Sequence, residues 1–281
     1  MADGPAADGP ADAGSSGAGP STAGPVGDPA GWAGIGPGDR GTPAVDWDRW
    51  LAGRAPDPTV TVPEGYRRLA VVAPHPDHEI LGVGVTASRF AAAGVEVVVL
   101  AVTDGDASHP DSPTMSPRRL AGLRVEESRR ACALLGLPEP VRLGLPDGGV
   151  GGRAGELTEA IARAVGDPGV ESLVLATWRG DGHPDHEACG RAAADACAAT
   201  GARLVESPVG PWHGARPGAP RVPWDRRRRV VLSRPELAAK RAAVAEFVTQ
   251  VAPLSDRPGD EAILPDWILD RLVTREETVF W

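Results

Sequence analysis

The chain has 281 residues, of which 42% are hydrophobic and 24% charged, as in an ordinary globular protein. Its 29 basic and 38 acidic side chains give a net charge of −9, which disfavours nucleic acid as a partner because a polyanion is repelled. No apolar run reaches the roughly 18 residues that a membrane span needs, and three cysteines cannot form a disulfide framework. We therefore expect a cytoplasmic protein with no nucleic-acid or membrane partner, and the sequence leaves a homo-oligomer open.

The chain begins with a low-complexity stretch. Residues 1–44 are mostly Ala, Gly, Pro and Asp, a composition that cannot bury enough apolar surface to offset the entropy of ordering. We expect a disordered tail over 1–44 and a single folded domain over 45–281. Order is expected to begin near Trp47 and Trp50, whose indole rings can cap the domain.

Short apolar runs and helical segments then alternate along the chain. The predicted strands are 69–73, 95–102, 141–145 and 172–176, with 203–206 and 230–232 as further candidates, and the predicted helices are 80–93, 120–135, 157–165, 186–199 and 235–250. This alternation predicts an α/β fold, a Rossmann-like parallel sheet with helices on both faces. In such folds the active site lies at the C-terminal edge of the strands.

Four of the six histidines fall in two clusters of the same pattern, each after a predicted strand. The first reads Pro-His-Pro-Asp-His-Glu over 74–79, and the second reads Gly-His-Pro-Asp-His-Glu over 182–187. Imidazole and carboxylate groups are natural ligands of a catalytic zinc ion, and a carboxylate beside the activated water can accept its proton. Alternatively, Asp77 and Asp185 only cap helices and the histidines are incidental. The repetition at two strand ends favours the metal site.

The first cluster resembles the PHPDDE signature of the LmbE/PIG-L family, zinc-dependent N-acetylglucosaminyl de-N-acetylases, and the second resembles their HPDH motif. The resemblance covers about 69–250, with weaker matches at 103–105, 124–127 and 143–148 and at Lys240 and Gln250. It departs at His78, where the family has a metal-binding Asp. Imidazole can replace that carboxylate, or His78 points away and the metal site is degenerate.

The resemblance implies a hydrolase that removes an acetyl or other acyl group from the amide nitrogen of an amino-sugar conjugate, through a metal-activated water. The implied metal ligands are His75, His78 and His186, the catalytic residues are Asp77, His183 and Asp185, and the substrate-binding residues are Asp147, Arg124 and Asp106. Asp77 is implied as the general base. His183 is implied to stabilise the oxyanion or protonate the leaving amine, with Asp185 orienting it. Zn²⁺ is the implied cofactor, and another divalent metal stays open.

Other readings stay open at this stage. The chain can be a non-catalytic binding protein on the same fold with a degenerate metal site. A nucleotide-binding Rossmann protein is disfavoured, because the turn after the first strand holds Pro, His and Asp instead of the glycine fingerprint. Arg124 can form a structural salt bridge with Glu127 instead of binding substrate. The sequence does not separate removal of an acetyl group from cleavage of a larger amide.

Overall fold

The structure of the chain, a computed structural model, describes residues 1, 39–54, 57–61, 65–166 and 169–281. Most of the expected tail lies outside the described residues, so its disorder stays a prediction. The end of that stretch is described: the first helix begins at Ala44, and the N–H of Thr42 donates to the carbonyl of His213 at 2.8 Å. The residues from Asp39 onward therefore pack against the folded domain.

Strands and helices alternate over most of the described chain, as the sequence predicts. The strands are β1 (Arg68–Ala73), β2 (Glu96–Ala101), β3 (Val141–Arg142), β4 (Ser172–Thr177), β5 (Arg203–Ser207), β6 (Arg227–Val231) and β7 (Glu276–Phe280). The helices are α1 (Ala44–Ala52), α2 (His78–Leu81), α3 (Gly84–Ala92), α4 (Pro117–Leu134), α5 (Ala154–Val165), α6 (Pro184–Thr200), α7 (Gly210–Gly214), α8 (Arg234–Val244), α9 (Val248–Val251) and α10 (Asp266–Leu272).

The strands of the described residues form one sheet in the order β3-β2-β1-β4-β5-β7-β6. Strands β1 to β5 are parallel, and β1 lies in the middle, paired with β2 on one side and β4 on the other. Strand β7 runs antiparallel to both β5 and β6. The predicted α/β class is confirmed, and the C-terminal ends of β1 and β4 lie side by side.

Both faces of the sheet are covered, as predicted. Leu69 and Val71 of β1 belong to an apolar cluster that includes residues of α3, α4 and α8. Ala70 and Val72 belong to a second cluster with residues of α5 and α6. Successive residues of a strand point to opposite faces, so β1 is buried on both sides. Such burial explains its continuous apolar run.

The predicted helix over 80–93 is divided into α2 and α3 in the structure. Glu277 of β7 accepts the N–H groups of Val85 and Thr86 at 2.9 and 2.8 Å, which gives α3 its own N-terminal anchor. Similarly, the predicted helix over 235–250 is divided into α8 and α9, and Phe247 between them has a non-helical ψ of 54°. Helix α10 and strand β7 were not predicted.

Helix α1 is held by a cluster of tryptophans. Trp47 is 3% exposed, and its Nε1–H donates to the carbonyl of Trp212 at 2.8 Å. The ring centroids of Trp47 and Trp224 lie 5.6 Å apart, and Phe280 of β7 completes the cluster. Within the described ranges, no helix has the length and apolarity that crossing a membrane requires.

Candidate active site

The first histidine cluster forms the turn between β1 and α2. The N–H of His78 donates to the carbonyl of His75 at 3.3 Å, and Ile80 donates to Asp77 at 2.9 Å, so the turn passes directly into the helix. Asp77 has a φ of +146°, which a non-glycine residue rarely adopts. Its N–H donates to the buried carboxylate of Glu79 at 2.9 Å. The surrounding bonds thus hold Asp77 in a strained conformation, which is characteristic of functional sites.

The second cluster forms the turn between β4 and α6, beside the first because β4 pairs with β1. Nδ1 of His183 accepts the N–H of Asp185 at 3.2 Å and caps the helix. Thr177, at the end of β4, donates its hydroxyl to the carbonyl of His186 at 2.8 Å. A Cβ at Gly190 would lie 2.5 Å from the carbonyl oxygen of Thr177, so only glycine permits this approach. These contacts fix His186 against the sheet.

Three imidazoles converge where the two turns meet. The ligand atoms of His75, His78 and His186 all lie within 4.8 Å of one another, and so do those of His75, His183 and Asp185. Nε2 of His78 is buried and has no hydrogen-bond partner among the described residues. Imidazole nitrogen binds Zn²⁺ and several other divalent ions. The His75, His78 and His186 set therefore fits a bound divalent cation.

A buried carboxylate orients His186. Oδ2 of Asp181 accepts the Nδ1–H of His186 at 2.5 Å, and the carboxylate also accepts the N–H groups of Val209 and Gly210 at 2.7 and 2.9 Å. Burial raises the pKa of Asp181 to about 6 although these N–H bonds oppose the shift. Burial, together with the charges of neighbouring histidines, holds the pKa of His186 well below its usual value. A neutral His186 that donates through Nδ1 keeps its Nε2 lone pair for a metal ion.

His75 lies between two carboxylates. Its Nε2 is 3.2 Å from Oδ1 of Asp147 and 3.3 Å from Oδ2 of Asp185. Burial lowers the pKa of His75, but the hydrogen bonds to these carboxylates and the charge of Asp77 outweigh burial and raise the pKa to about 9. The carboxylates therefore give this part of the site a negative potential, which favours a cation, and a bound metal ion would take the place of the proton on His75.

These side chains line a pocket of about 550 Å³, within the usual range for a small-molecule site. Asp147 and Arg124 belong to its wall, as expected for substrate-binding residues. Asp106 is half-buried in the loop after β2, where Ala107 and Ser108 form the wall instead. The structure thus brings two of the three expected substrate-binding residues to the pocket.

Arg124 is buried at 1% exposure and has spare hydrogen-bonding capacity. Its Nη1 donates to the carbonyl of Gly105 at 2.5 Å and its Nε to Oγ1 of Thr249 at 3.4 Å. Glu127, the alternative partner, accepts both the N–H and the hydroxyl of Thr249, at 2.9 and 2.8 Å. Nη2 of Arg124 has no partner within the described part of the chain. Nη2 is therefore a buried donor group that the described residues leave unpaired beside the pocket.

The Asp185 carboxylate lies elsewhere than the sequence suggests. It accepts the N–H groups of Gly148 and Val150 at 2.7 and 3.1 Å and contacts His75, whereas its contact with His183 runs through its own backbone N–H. Burial, followed by the charges of His75 and a neighbouring histidine, lowers the pKa of His183 to about 4. Because Nδ1 of His183 is an acceptor, the ring proton resides on Nε2.

Sequence reasoning missed three carboxylates that support the site. Glu79 bonds Asp77 in the first turn, Asp181 bonds His186, and Glu277 anchors α3. The first two were within reach of sequence reasoning, because both stand inside the histidine clusters or immediately before them. Glu277 lies far away in the chain, and no local pattern connects it with the site.

The fold and the site together define an α/β enzyme class with a polar active site at the C-terminal edge of a parallel sheet. The sequence model of the family "PIG-L: GlcNAc-PI de-N-acetylase" matches residues 70–197. A 1D-myo-inositol 2-acetamido-2-deoxy-alpha-D-glucopyranoside deacetylase of Streptomyces avermitilis is 31% identical over 225 residues, covering 70% of this chain and 75% of the relative. The chain belongs to the PIG-L family, as the resemblance implies.

Two further comparisons agree with this assignment. A protein of the same name from Thermobifida fusca is 28% identical over 240 residues, covering 76% of this chain and 79% of the relative. The crystal structure of a deacetylase triple mutant from the teicoplanin biosynthetic pathway has a TM-score of 0.54 at 23% identity, covering 76% of this chain and 96% of that one. This likeness shows the shared fold. Family membership supports hydrolytic deacetylation, as the sequence predicts.

Proposed function

We propose that the chain is a metal-dependent hydrolase that removes an acetyl or other acyl group from the amide nitrogen of an amino-sugar conjugate. The observation that carries the proposal is the meeting of three imidazoles with the Asp77 carboxylate in one pocket. The relatives' names support the substrate class, because a 2-acetamido-2-deoxy-glucopyranoside is an N-acetylated amino sugar.

His75, His78 and His186 are the proposed metal ligands. Three protein ligands with a further open position are typical of catalytic zinc, so Zn²⁺ is the proposed ion, although imidazole also accepts other divalent metals. A divalent ion in this position supplies Lewis acidity toward the acyl carbonyl. Asp181 keeps His186 in the tautomer that ligation needs.

Asp77 is the proposed general base, which accepts a proton from the attacking water. Its Oδ1 is buried and touches Nδ1 of His78, but makes no hydrogen bond to the described residues. A carboxylate that a strained turn fixes in place is positioned to accept a proton without rearrangement. Positioned general bases typically contribute 10²–10⁴-fold to the rate.

His183 is the proposed donor to the oxyanion that develops on the acyl carbonyl. Its Nδ1 accepts the N–H of Asp185, so its Nε2–H is free to donate toward the pocket that it lines. This geometry supports the oxyanion role over protonation of the amine. Asp185 positions His183 through the backbone and ties the 148–150 loop to His75.

Asp147 and Arg124 are the proposed substrate-binding residues, and Asp106, which does not line the pocket, is proposed only to support Arg124. Asp147 can accept a sugar hydroxyl while its Oδ2 holds the N–H of Ala107 at 2.8 Å. Nη2 of Arg124 offers an unused donor on the same wall. Asp106 acts at longer range, through its charge on Arg124.

The test is the Asp77→Asn variant, assayed for metal content by elemental analysis and for free amine released from N-acetylglucosaminides. The unchanged protein is expected to bind about one metal ion per chain. Because Asn cannot accept the proton, activity should fall by about 10²–10⁴-fold with the metal retained. The matched control is Asp195→Asn, at an exposed position of α6, which should leave both values unchanged.

Two other outcomes would favour one of the alternative functions, a non-catalytic binding protein or a hydrolase of larger amides. Protein that takes up neither zinc nor iron would contradict the three-histidine site and favour a non-catalytic binding protein. A metal-loaded protein that hydrolyses acyl groups longer than acetyl, but not N-acetylglucosaminides, would move the proposal to a larger amide.

A further inference from the structure

A second pocket, of about 580 Å³, adjoins the candidate active site. Leu81, Trp212, Arg271 and Leu272 line both pockets and thus form the partition between them. Of these four, Arg271 carries a charge, and it is 8% exposed. It lies outside the segment that the family model matches, and no sequence motif assigns it a role.

Arg271 is held by residues near the start of the described domain. Its Nη1 donates to Nδ1 of His213 at 2.7 Å, and its Nη2 donates to the carbonyl of Arg40. Nε2 of His213 lies 3.3 Å from a carboxylate oxygen of Asp39. Because an arginine can only donate, Nδ1 of His213 accepts and the ring is neutral, consistent with burial lowering the pKa of His213. Among the described residues, the two groups that accept from this guanidinium, His213 and the Arg40 carbonyl, are therefore both uncharged.

The charges of Asp39 and Asp270 partly offset the burial of Arg271, but neither of these carboxylates forms a direct ion pair with it. Within the described ranges, no carboxylate oxygen lies within 4.0 Å of its guanidinium, and its Nε has no acceptor. Arg227, a buried arginine on the wall of the second pocket, bonds the carboxylates of both Asp57 and Glu276. An unpaired buried charge is costly, and a ligand of opposite charge removes that cost.

The chain around Arg271 is otherwise apolar where it meets the active-site pocket. The segment 263–272 contributes Ile263, Leu264, Ile268, Arg271 and Leu272 to the wall. Arg124, the other arginine of the pocket, is compensated by the charges of Asp77 and Asp147. Arg271 is therefore the cationic group on a side that no catalytic carboxylate neutralises.

We propose that Arg271 binds an anionic group, a carboxylate or a phosphate, on the part of the substrate that is joined to the amino sugar. The inference rests on the proposed function and narrows its substrate class to amino-sugar conjugates that carry an acidic group. The planar guanidinium, with three of its five N–H groups uncommitted, suits a two-point contact with either anion. The apolar neighbours strengthen that contact by excluding water.

The test compares substrates that differ in charge and hardly in size. The carboxymethyl glycoside of N-acetylglucosamine carries a carboxylate, its carbamoylmethyl analogue is neutral, and a phosphoethyl glycoside supplies the phosphate arm. We expect the metal-loaded protein to prefer an acidic substrate at least tenfold in kcat/KM. The arm with the larger preference identifies the anion.

The same ratio is then measured in variants. In Arg271→Met the ratio of kcat/KM for the acidic substrate to that for the neutral one should fall toward one, through a higher KM for the acidic substrate. In Arg271→Lys this ratio should be intermediate, because lysine keeps the positive charge but cannot make the two-point contact of a guanidinium. Arg275→Met is the matched control, since this exposed arginine lines the second pocket but not the active-site pocket, and its ratio should not change. Thermal unfolding checks that each variant is folded, and if the Met variant is not, the Lys variant decides.

The outcomes separate this inference from the proposed function. Hydrolysis of all three glycosides by the unchanged protein without preference for an acid overturns the role of Arg271 alone. A preference that survives in both Arg271 variants overturns it as well. If the metal-loaded protein hydrolyses none of the three glycosides, the proposed function is contradicted, and so is the acidic amino-sugar substrate class that rests on it.

Discussion

His78 gives the proposed metal site a different charge from that of the family signature, which has an aspartate in this place. A neutral imidazole in place of a carboxylate leaves a bound divalent ion with one more unit of uncompensated charge. Asp147 and Asp185 lie 3.2 and 3.3 Å from Nε2 of His75, and their charges, with that of Asp77, add negative potential at the proposed site. We infer that these carboxylates help to retain the cation, because three neutral imidazoles attract it less strongly than two imidazoles and a carboxylate.

Asp181 is a positioning residue for the same site, and its role is testable. Asp181→Asn keeps one acceptor oxygen, which can hold the N–H of Val209 or that of Gly210 but not both, and it removes the charge that orients His186. Metal affinity, measured by competition with a chelator, should fall about 10–100-fold. The exposed Asp195→Asn should leave affinity unchanged, and an equal affinity in all three proteins would contradict the role of Asp181.

Individual residues also show which parts of the site could be predicted from the sequence. His75, His78 and His186 were found because each stands at a fixed distance from the end of a recognisable strand. Asp185 was found, but its carboxylate was assigned to His183, since adjacent residues in sequence are the natural first guess. The carboxylate instead bonds a loop some 37 positions away, a contact that depends on how the loop after β3 folds back.

At the scale of elements, periodicity located most of the helices and the parallel strands but not their interruptions. The pattern over 80–93 is helical throughout, and its division into α2 and α3 depends on Glu277, whose approach no local signal encodes. Strand β3 is shorter than the predicted 141–145, and only Val141 and Arg142 pair with β2. Tertiary contacts therefore decided the ends of elements that local propensity had placed correctly.

The segment 39–42 is an element-scale support for the pocket wall, and Gly41 is its tightest point. Gly41 has a φ of +53°, and a Cβ there would lie 2.5 Å from the carbonyl oxygen of His213 and 2.7 Å from its Nδ1. Gly41→Ala should therefore displace this segment, lower the unfolding temperature and raise KM, because Arg271 loses its support. Gly65→Ala is the control: its φ is +98° with nothing within 4 Å, so only the backbone cost of about 1–2 kcal/mol applies.

Comparing these two glycines separates strain from contact. If both variants lose the same stability and keep the same KM, the packing of 39–42 on His213 does not support the pocket. If Gly41→Ala lowers stability and raises KM more than Gly65→Ala does, the described residues before α1 belong to the folded domain that forms the pocket. That result would also move the end of the expected tail from 44 to about 38.

At the scale of the whole molecule, the pocket is assembled from two parts of the chain. The family match over 70–197 supplies the histidine clusters and the parallel strands around them. The wall opposite comes from later residues, including Val209, Trp212, Gln250 and the segment 263–272. Sequence patterns recovered the first part and, of the second, Gln250, because the rest of the later wall is built from loops and short helices whose positions follow only from packing.

Glu277 joins these two parts, and breaking its bonds should therefore affect the whole fold. Its buried carboxylate accepts Nζ of Lys240 at 2.8 Å as well as two N–H groups and a hydroxyl of α3. In Glu277→Gln the buried Lys240 loses its counter-charge, so the free energy of unfolding, measured in urea, should fall by about 3–5 kcal/mol. Adding Lys240→Met should restore part of the loss.

The control is Glu96→Gln, which breaks the exposed ion pair between Glu96 and Arg68 on neighbouring strands and should cost at most about 1 kcal/mol. Equal losses in the two single variants would mean that burial does not strengthen this pair.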